Sequence, residues 1–117
     1  MVEYVSDIDL VFQSLADPTR RDILAQVSQY SLSVGEIAKQ YDLTFAAVSK
    51  HIQVMERAKL VTKQHRGKKR IVSAVPATLH GALDYLKRYE IVWNERFDSL
   101  DRYVKNNPRE EKRYGRY

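Results

Sequence analysis

Between Arg66 and Arg70, four of five residues carry a permanent positive charge: Arg66, Lys68, Lys69 and Arg70, with His65 just before them. No acidic residue occurs from Arg57 to Val75. Lysine point charges and arginine forks at such density suit phosphate oxygens. Lysines on a strand edge also deter pairing with other chains. That role accounts for one or two of them, less well for four at one tip. Other chemistry is missing. There is no cysteine, so disulfides, thiolate metal sites and a cysteine nucleophile are excluded. No nucleophile–base set or paired carboxylates stand out, and the 4 glycines are too scattered for a phosphate-cradling loop. An enzyme is not expected, nor a cofactor.

The charge distribution sharpens the first point. The 117 residues carry a net charge of +5. Residues 1–47 hold 3 basic and 7 acidic side chains, residues 48–75 hold 8 and 1, and residues 76–117 hold 9 and 7. The positive charge therefore belongs to one central block, which permits a nucleic-acid partner. The length fits one small domain. We assign residues 1–106 to it and residues 107–117 to a flexible basic tail. No run approaches the ~18 apolar residues of a membrane span. The first residues lack the basic and apolar regions of a signal peptide. A cytoplasmic protein without a membrane partner is expected.

The elements that must position these residues can be read from caps and periodicity. Ser6 caps a helix to Ala16, with Ile8, Val11, Phe12 and Leu15 on one face. Asp17-Pro18 opens a second helix to about Tyr30. Ser33 and Glu36 have capping-box spacing and start a short third helix. Asp42-Leu43 turns the chain, and Thr44 caps a fourth helix to about Lys59, with Val48, Ile52 and Met55 inward. Leu60 to His65 and Arg70 to Val75 read as strands of a hairpin tipped by Arg66-Gly67-Lys68-Lys69. A long helix is expected from Thr78 to about Asn106. The fold class is mainly α with a small β-hairpin wing.

Two short helices joined by a tight turn over residues 33–59 have the arrangement of a helix-turn-helix. By spacing alone, an ordinary helix hairpin with a solvated face fits equally well. The cationic hairpin that follows favours a winged helix on DNA. The residue runs support this. Val11 to Leu24, with Asp17-Pro18-Thr19-Arg20-Arg21 at its centre, resembles the opening signature of ArsR-family winged-helix transcriptional regulators. So do Ser33 to Ala38, Ala47 to Met55, the Leu60-Val61 exit and the Arg66 to Arg70 wing, the resemblance covering about residues 8–104. It implies a homodimeric, sequence-specific DNA-binding regulator, expected to be a repressor acting on an inverted-repeat operator in double-stranded DNA. It further implies that Thr44, Phe45, Ala46, Ser49, Lys50 and His51 meet DNA from the recognition helix, and that Arg66, Lys68, Lys69 and Arg70 meet it from the wing. One of Arg20 and Arg21 is expected to be a structural ion-pair partner. The chain departs from the family's pattern at Phe45, where a glutamine or other polar residue is frequent, and at Ala46, where serine or proline is.

Many members of that family sense metals. The cysteine type of site is absent here. His80 and Asp84 stand four apart on the last helix and resemble half of another type, but its second histidine pair is missing. A surface pair is the reading we adopt, with a metal-responsive regulator, or a winged-helix module binding protein in place of DNA, as the alternatives. On the same helix Leu79, Leu86, Trp93 and Leu100 recur every seven residues, with Leu83, Tyr89, Phe97 and Val104 beside them. A helix of about 27 residues is about 40 Å long, more than so small a body covers. An apolar stripe of that length calls for a partner. We expect a dimer through Ile8, Val11, Phe12, Leu79, Leu86, Trp93, Phe97 and Leu100.

Overall fold

The structure is a computed structural model and describes residues 6–106. The expected tail of residues 107–117 lies outside the described residues. Five helices and three strands follow one another: α1 (Asp7–Leu15), α2 (Pro18–Gln29), β1 (Leu32–Ser33), α3 (Val34–Tyr41), α4 (Phe45–Arg57), β2 (Val61–Arg66), β3 (Lys69–Ala74) and α5 (Pro76–Asn106).

The helix starts form where short polar side chains satisfy the free N–H groups of the first turn. Ser6 and Asp9 exchange hydrogen bonds of 3.3 Å at the start of α1. Asp17 accepts the Arg20 N–H at 3.0 Å, and Pro18 occupies the first position of α2. Ser33 and Glu36 close a capping box with two bonds of 3.1 Å. Proline also opens α5, at Pro76, two residues earlier than the sequence suggests.

The C-terminal end of α1 has no cation in its own last turn. Two arginines of α2 supply the donors instead. Arg20 Nε reaches Ser14 O at 2.7 Å and Arg20 Nη2 reaches Gln13 O at 3.1 Å, while Arg21 Nη1 reaches Leu15 O at 2.8 Å. Both arginines therefore cap α1, and Arg20 is in addition an ion-pair partner of Asp17 at 4.0 Å, the role expected of one of the two.

The described residues fold into two units, divided between Ala82 and Leu83. The core of the first unit joins Ile23, Ile37, Val48, Ile52, Met55, Leu60 and Val72, all at 0 % exposure. Burying side chains of this size stabilises by roughly 1.5–3 kcal/mol each. The inward residues expected on α4, Val48, Ile52 and Met55, are all among them. Val11, expected in the dimer interface, is packed into this core at 3 % exposure. Ile8 and Leu79 are partly buried against the same core.

The sheet has the order β1-β3-β2, all antiparallel. β1 is absent from the sequence reading because two residues cannot show alternation. Ser33 pairs with Ile71 in this strand and also caps α3. The hairpin is tighter than expected: Arg66 and Lys69 pair, leaving only Gly67-Lys68 as the turn. Gly67 sits at φ +62. A positive φ at the first central residue, and not at Lys68, is the type II′ pattern, where glycine is favoured because it has no Cβ.

The second unit is the remainder of α5. Leu83, Leu86, Tyr89, Val92, Trp93 and Phe97 on it are each about half exposed, and Leu100 and Val104 are half-buried. The Trp93 and Phe97 rings lie 5.9 Å apart between centroids. Among the described residues no helix is long and apolar enough to cross a membrane.

Candidate nucleic-acid interface

α3 and α4 are joined by Asp42-Leu43-Thr44. Asp42 adopts the left-handed conformation at φ 52, one that aspartate tolerates better than most residues, and ends α3. Leu43 N–H then returns to Ala38 O at 3.0 Å. Thr44 Oγ1 accepts the Ala47 N–H at 3.1 Å and starts α4. α3 is in turn pinned to α2, since Gln26 Nε2 donates to the Tyr41 hydroxyl at 2.6 Å. Burial and the Asp22 carboxylate beside it push the Tyr41 phenol well above its ordinary pKa.

With Val48, Ile52 and Met55 turned into the core, α4 presents its other side to solvent. Thr44, Phe45, Ala46, Lys50 and Gln53 are exposed, and Ser49 is half-buried. Phe45 keeps 52 % of its surface in water. His51 differs. It is half-buried, and its Nδ1 lies 3.4 Å from Arg20 Nη1. The expected site residues of α4 thus lie on one solvent face, except that His51 leans back to α2.

α4 ends in a six-to-one and a five-to-two backbone bond, Leu60 N to Met55 O at 2.9 Å and Lys59 N to Glu56 O at 3.0 Å. This is the Schellman pattern, with Leu60 buried beside Met55. Its left-handed position is Lys59, at φ 60, where glycine is usual. The motif turns the chain directly into β2, so the wing follows the fourth helix without a free linker. A Lys63–Glu56 ion pair at 3.9 Å adds a contact between β2 and α4.

On the wing all of His65, Arg66, Lys68, Lys69 and Arg70 are exposed. Their register places one pair of permanent like charges directly opposite each other, with a histidine–arginine pair beside it. Arg66 faces Lys69 and His65 faces Arg70 across the two strands. Directly opposed like charges destabilise an antiparallel pair. A local cost of this kind is expected where function needs it. Glu36, at the start of α3, lies close enough for Lys69 to help hold its carboxyl low, after the dominant bond from the Ser33 N–H. Phe45 borders a groove of about 550 Å³ together with Gly35, Glu36, Lys39, Lys68 and Lys69. The open face therefore combines the start of α3, the start of α4 and the wing tip.

Known proteins similar to this chain in sequence or in shape are regulators of transcription. A helix-turn-helix domain family matches residues 15–64. The HTH-type transcriptional regulator Rv2034 of Mycobacterium tuberculosis is 35 % identical over 81 residues, which are 69 % of this chain and 76 % of that protein. The transcriptional repressor SdpR of Bacillus subtilis (strain 168) is 23 % identical over 79 residues, 68 % of this chain and 88 % of that one. The crystal structure of RHA00566, an ArsR family transcriptional regulator, superimposes with a TM-score of 0.71 at 28 % identity, covering 80 % of this chain and 97 % of its own.

Proposed function

Because the chain belongs to the ArsR family of winged helix-turn-helix transcriptional regulators, we propose that it is a homodimeric repressor that binds an inverted-repeat operator without a metal cofactor. The observation that carries the site is the charge register of the wing. Arg66 stands directly opposite Lys69, with Lys68 in the turn between them and Arg70 next along the strand, so these cations repel one another in the free protein. A polyanion laid across them turns that repulsion into attraction.

In this reading Phe45, Ala46 and Ser49 approach base edges in the major groove. Thr44, Lys50, Arg66, Lys68, Lys69 and Arg70 hold phosphates and fix the register. His51 contributes through the packing of α4. The second copy is supported by the α5 stripe. Leu86, Trp93 and Phe97 each leave about half of their surface exposed, and an apolar stripe of that extent is best covered by its own equivalent about a two-fold axis. Leu100 lies on the same helix. A two-fold pair of recognition helices reads half-sites roughly 34–36 Å apart, which makes the operator an inverted repeat. A dimer seated over a promoter blocks polymerase by occupancy, and the similarity to a named repressor agrees with that outcome.

The test is fluorescence anisotropy on a labelled promoter duplex across a series of salt concentrations. Affinity falls steeply as salt rises, and Lys68→Ala flattens the log–log slope by about one per wing. Binding that is indifferent to salt overturns the reading.

A further inference from the structure

We propose that the tip of α4 reads thymine by its methyl group, with Phe45 and Ala46 as the specificity-determining residues. The inference rests on the DNA-binding reading above and adds the chemistry that it recognises. The first residues of a recognition helix are the ones that meet base edges. Here they are Phe45 and Ala46, both exposed, and neither side chain can donate or accept a hydrogen bond. The Thr44 hydroxyl before them already accepts the Ala47 N–H. The one amide on α4 is Gln53, two turns further along. Bidentate readout of adenine is therefore unavailable at the tip.

An exposed ring at this position gains by meeting an apolar group. Across all four base pairs the major groove offers one such group, the C5 methyl of thymine. Space for it is present: the ring borders the open groove shared with Gly35, Lys39, Lys68 and Lys69. The small Ala46 beside it lets the helix approach closely. The cations that line the same groove suit DNA phosphates.

The experiment starts from duplexes that the full chain selects from a randomised library. In the selected duplex each thymine is replaced singly by deoxyuridine, which removes the methyl and keeps every hydrogen bond. At one or two positions in each half-site we expect affinity to fall about 3–5-fold, the size of one buried methyl. Phe45→Ala binds the parent duplex more weakly and no longer distinguishes thymine from deoxyuridine. Phe45 is surface-exposed, so this variant keeps its fold, which a thermal melt checks. If no deoxyuridine replacement changes wild-type affinity, or if Phe45→Ala retains the discrimination, the inference is overturned while the DNA-binding reading stands. If the library yields no enriched sequence at all, the underlying reading fails and takes the inference with it.

Discussion

The Nη1 of Arg20 stands 3.4 Å from the Nδ1 of His51, and a guanidinium can only donate. His51 Nδ1 must therefore accept, which puts the proton of the neutral ring on Nε2. The same guanidinium holds Ser14 O and Gln13 O. One side chain thus ties the end of α1 and the start of α2 to the recognition helix. Nitrogen-15 NMR at neutral pH should find the Nε2–H tautomer at His51. Arg20→Ala should destabilise the fold by about 2–3 kcal/mol, since it leaves part-buried carbonyls without their charged donor. Lysine cannot reproduce the fork, so Arg20→Lys should recover only part of this in a urea titration.

Lys59 holds the left-handed position that ends α4, at φ 60. A residue with a Cβ pays for that conformation where glycine does not. Lys59→Gly should raise the stability by up to about 1 kcal/mol in the same titration. Its effect on DNA affinity should be confined to the loss of one exposed charge.

The wing separates stability from binding. Arg66→Glu replaces the repulsion from Lys69 by an attraction, so the free protein should melt slightly higher, by the equivalent of about 0.2–1 kcal/mol. The same change places a negative charge against phosphate and should weaken DNA binding at least tenfold. Opposite signs in calorimetry and anisotropy are the outcome to look for.

Asp17 gives the acid limb of the stability curve a specific source. The Arg20 N–H holds its carboxyl below the usual range, with the Arg20 guanidinium adding to the effect. A depressed folded pKa contributes stability that is complete above about pH 4–5 and is lost as pH falls through the folded value. Asp17→Asn keeps a capping oxygen and removes the titration. Its melting temperature should therefore fall less than that of the parent between about pH 5 and pH 2. Glu36, held low by the Ser33 N–H, gives a second contribution of the same sign.

The apolar stripe of α5 predicts the assembly. Trp93→Glu and Phe97→Glu should convert the chain to a monomer in sedimentation equilibrium. Affinity for an inverted repeat should then drop toward that for a single half-site. Helix content should be largely kept, since both side chains are about half exposed in the protomer.

Much of this architecture is legible in the sequence because its helix starts are written in local chemistry. Ser6, Asp17-Pro18, Ser33 with Glu36, and Thr44 each cap the helix that the structure places after them. The inward set of α4 follows from helical spacing alone. The sequence leaves the turn one residue too wide on each side, because basic residues at a hairpin tip look the same in the turn and in the strand. β1 carries no periodic signal in two residues, and its pairing with β3 is a tertiary fact. Val11 shares the apolar face of α1 with Ile8, and spacing cannot say which of them its own core consumes. The leaning of His51 toward Arg20 joins residues 31 apart in the chain, and no local pattern marks it.

Ser33 is at once a rung of the wing sheet, opposite Ile71, and the cap of α3. The wing therefore cannot tilt without unseating the helix that braces α4. Supported in this way, the surface offered to DNA is already in its working shape, and little ordering entropy remains to be lost on contact.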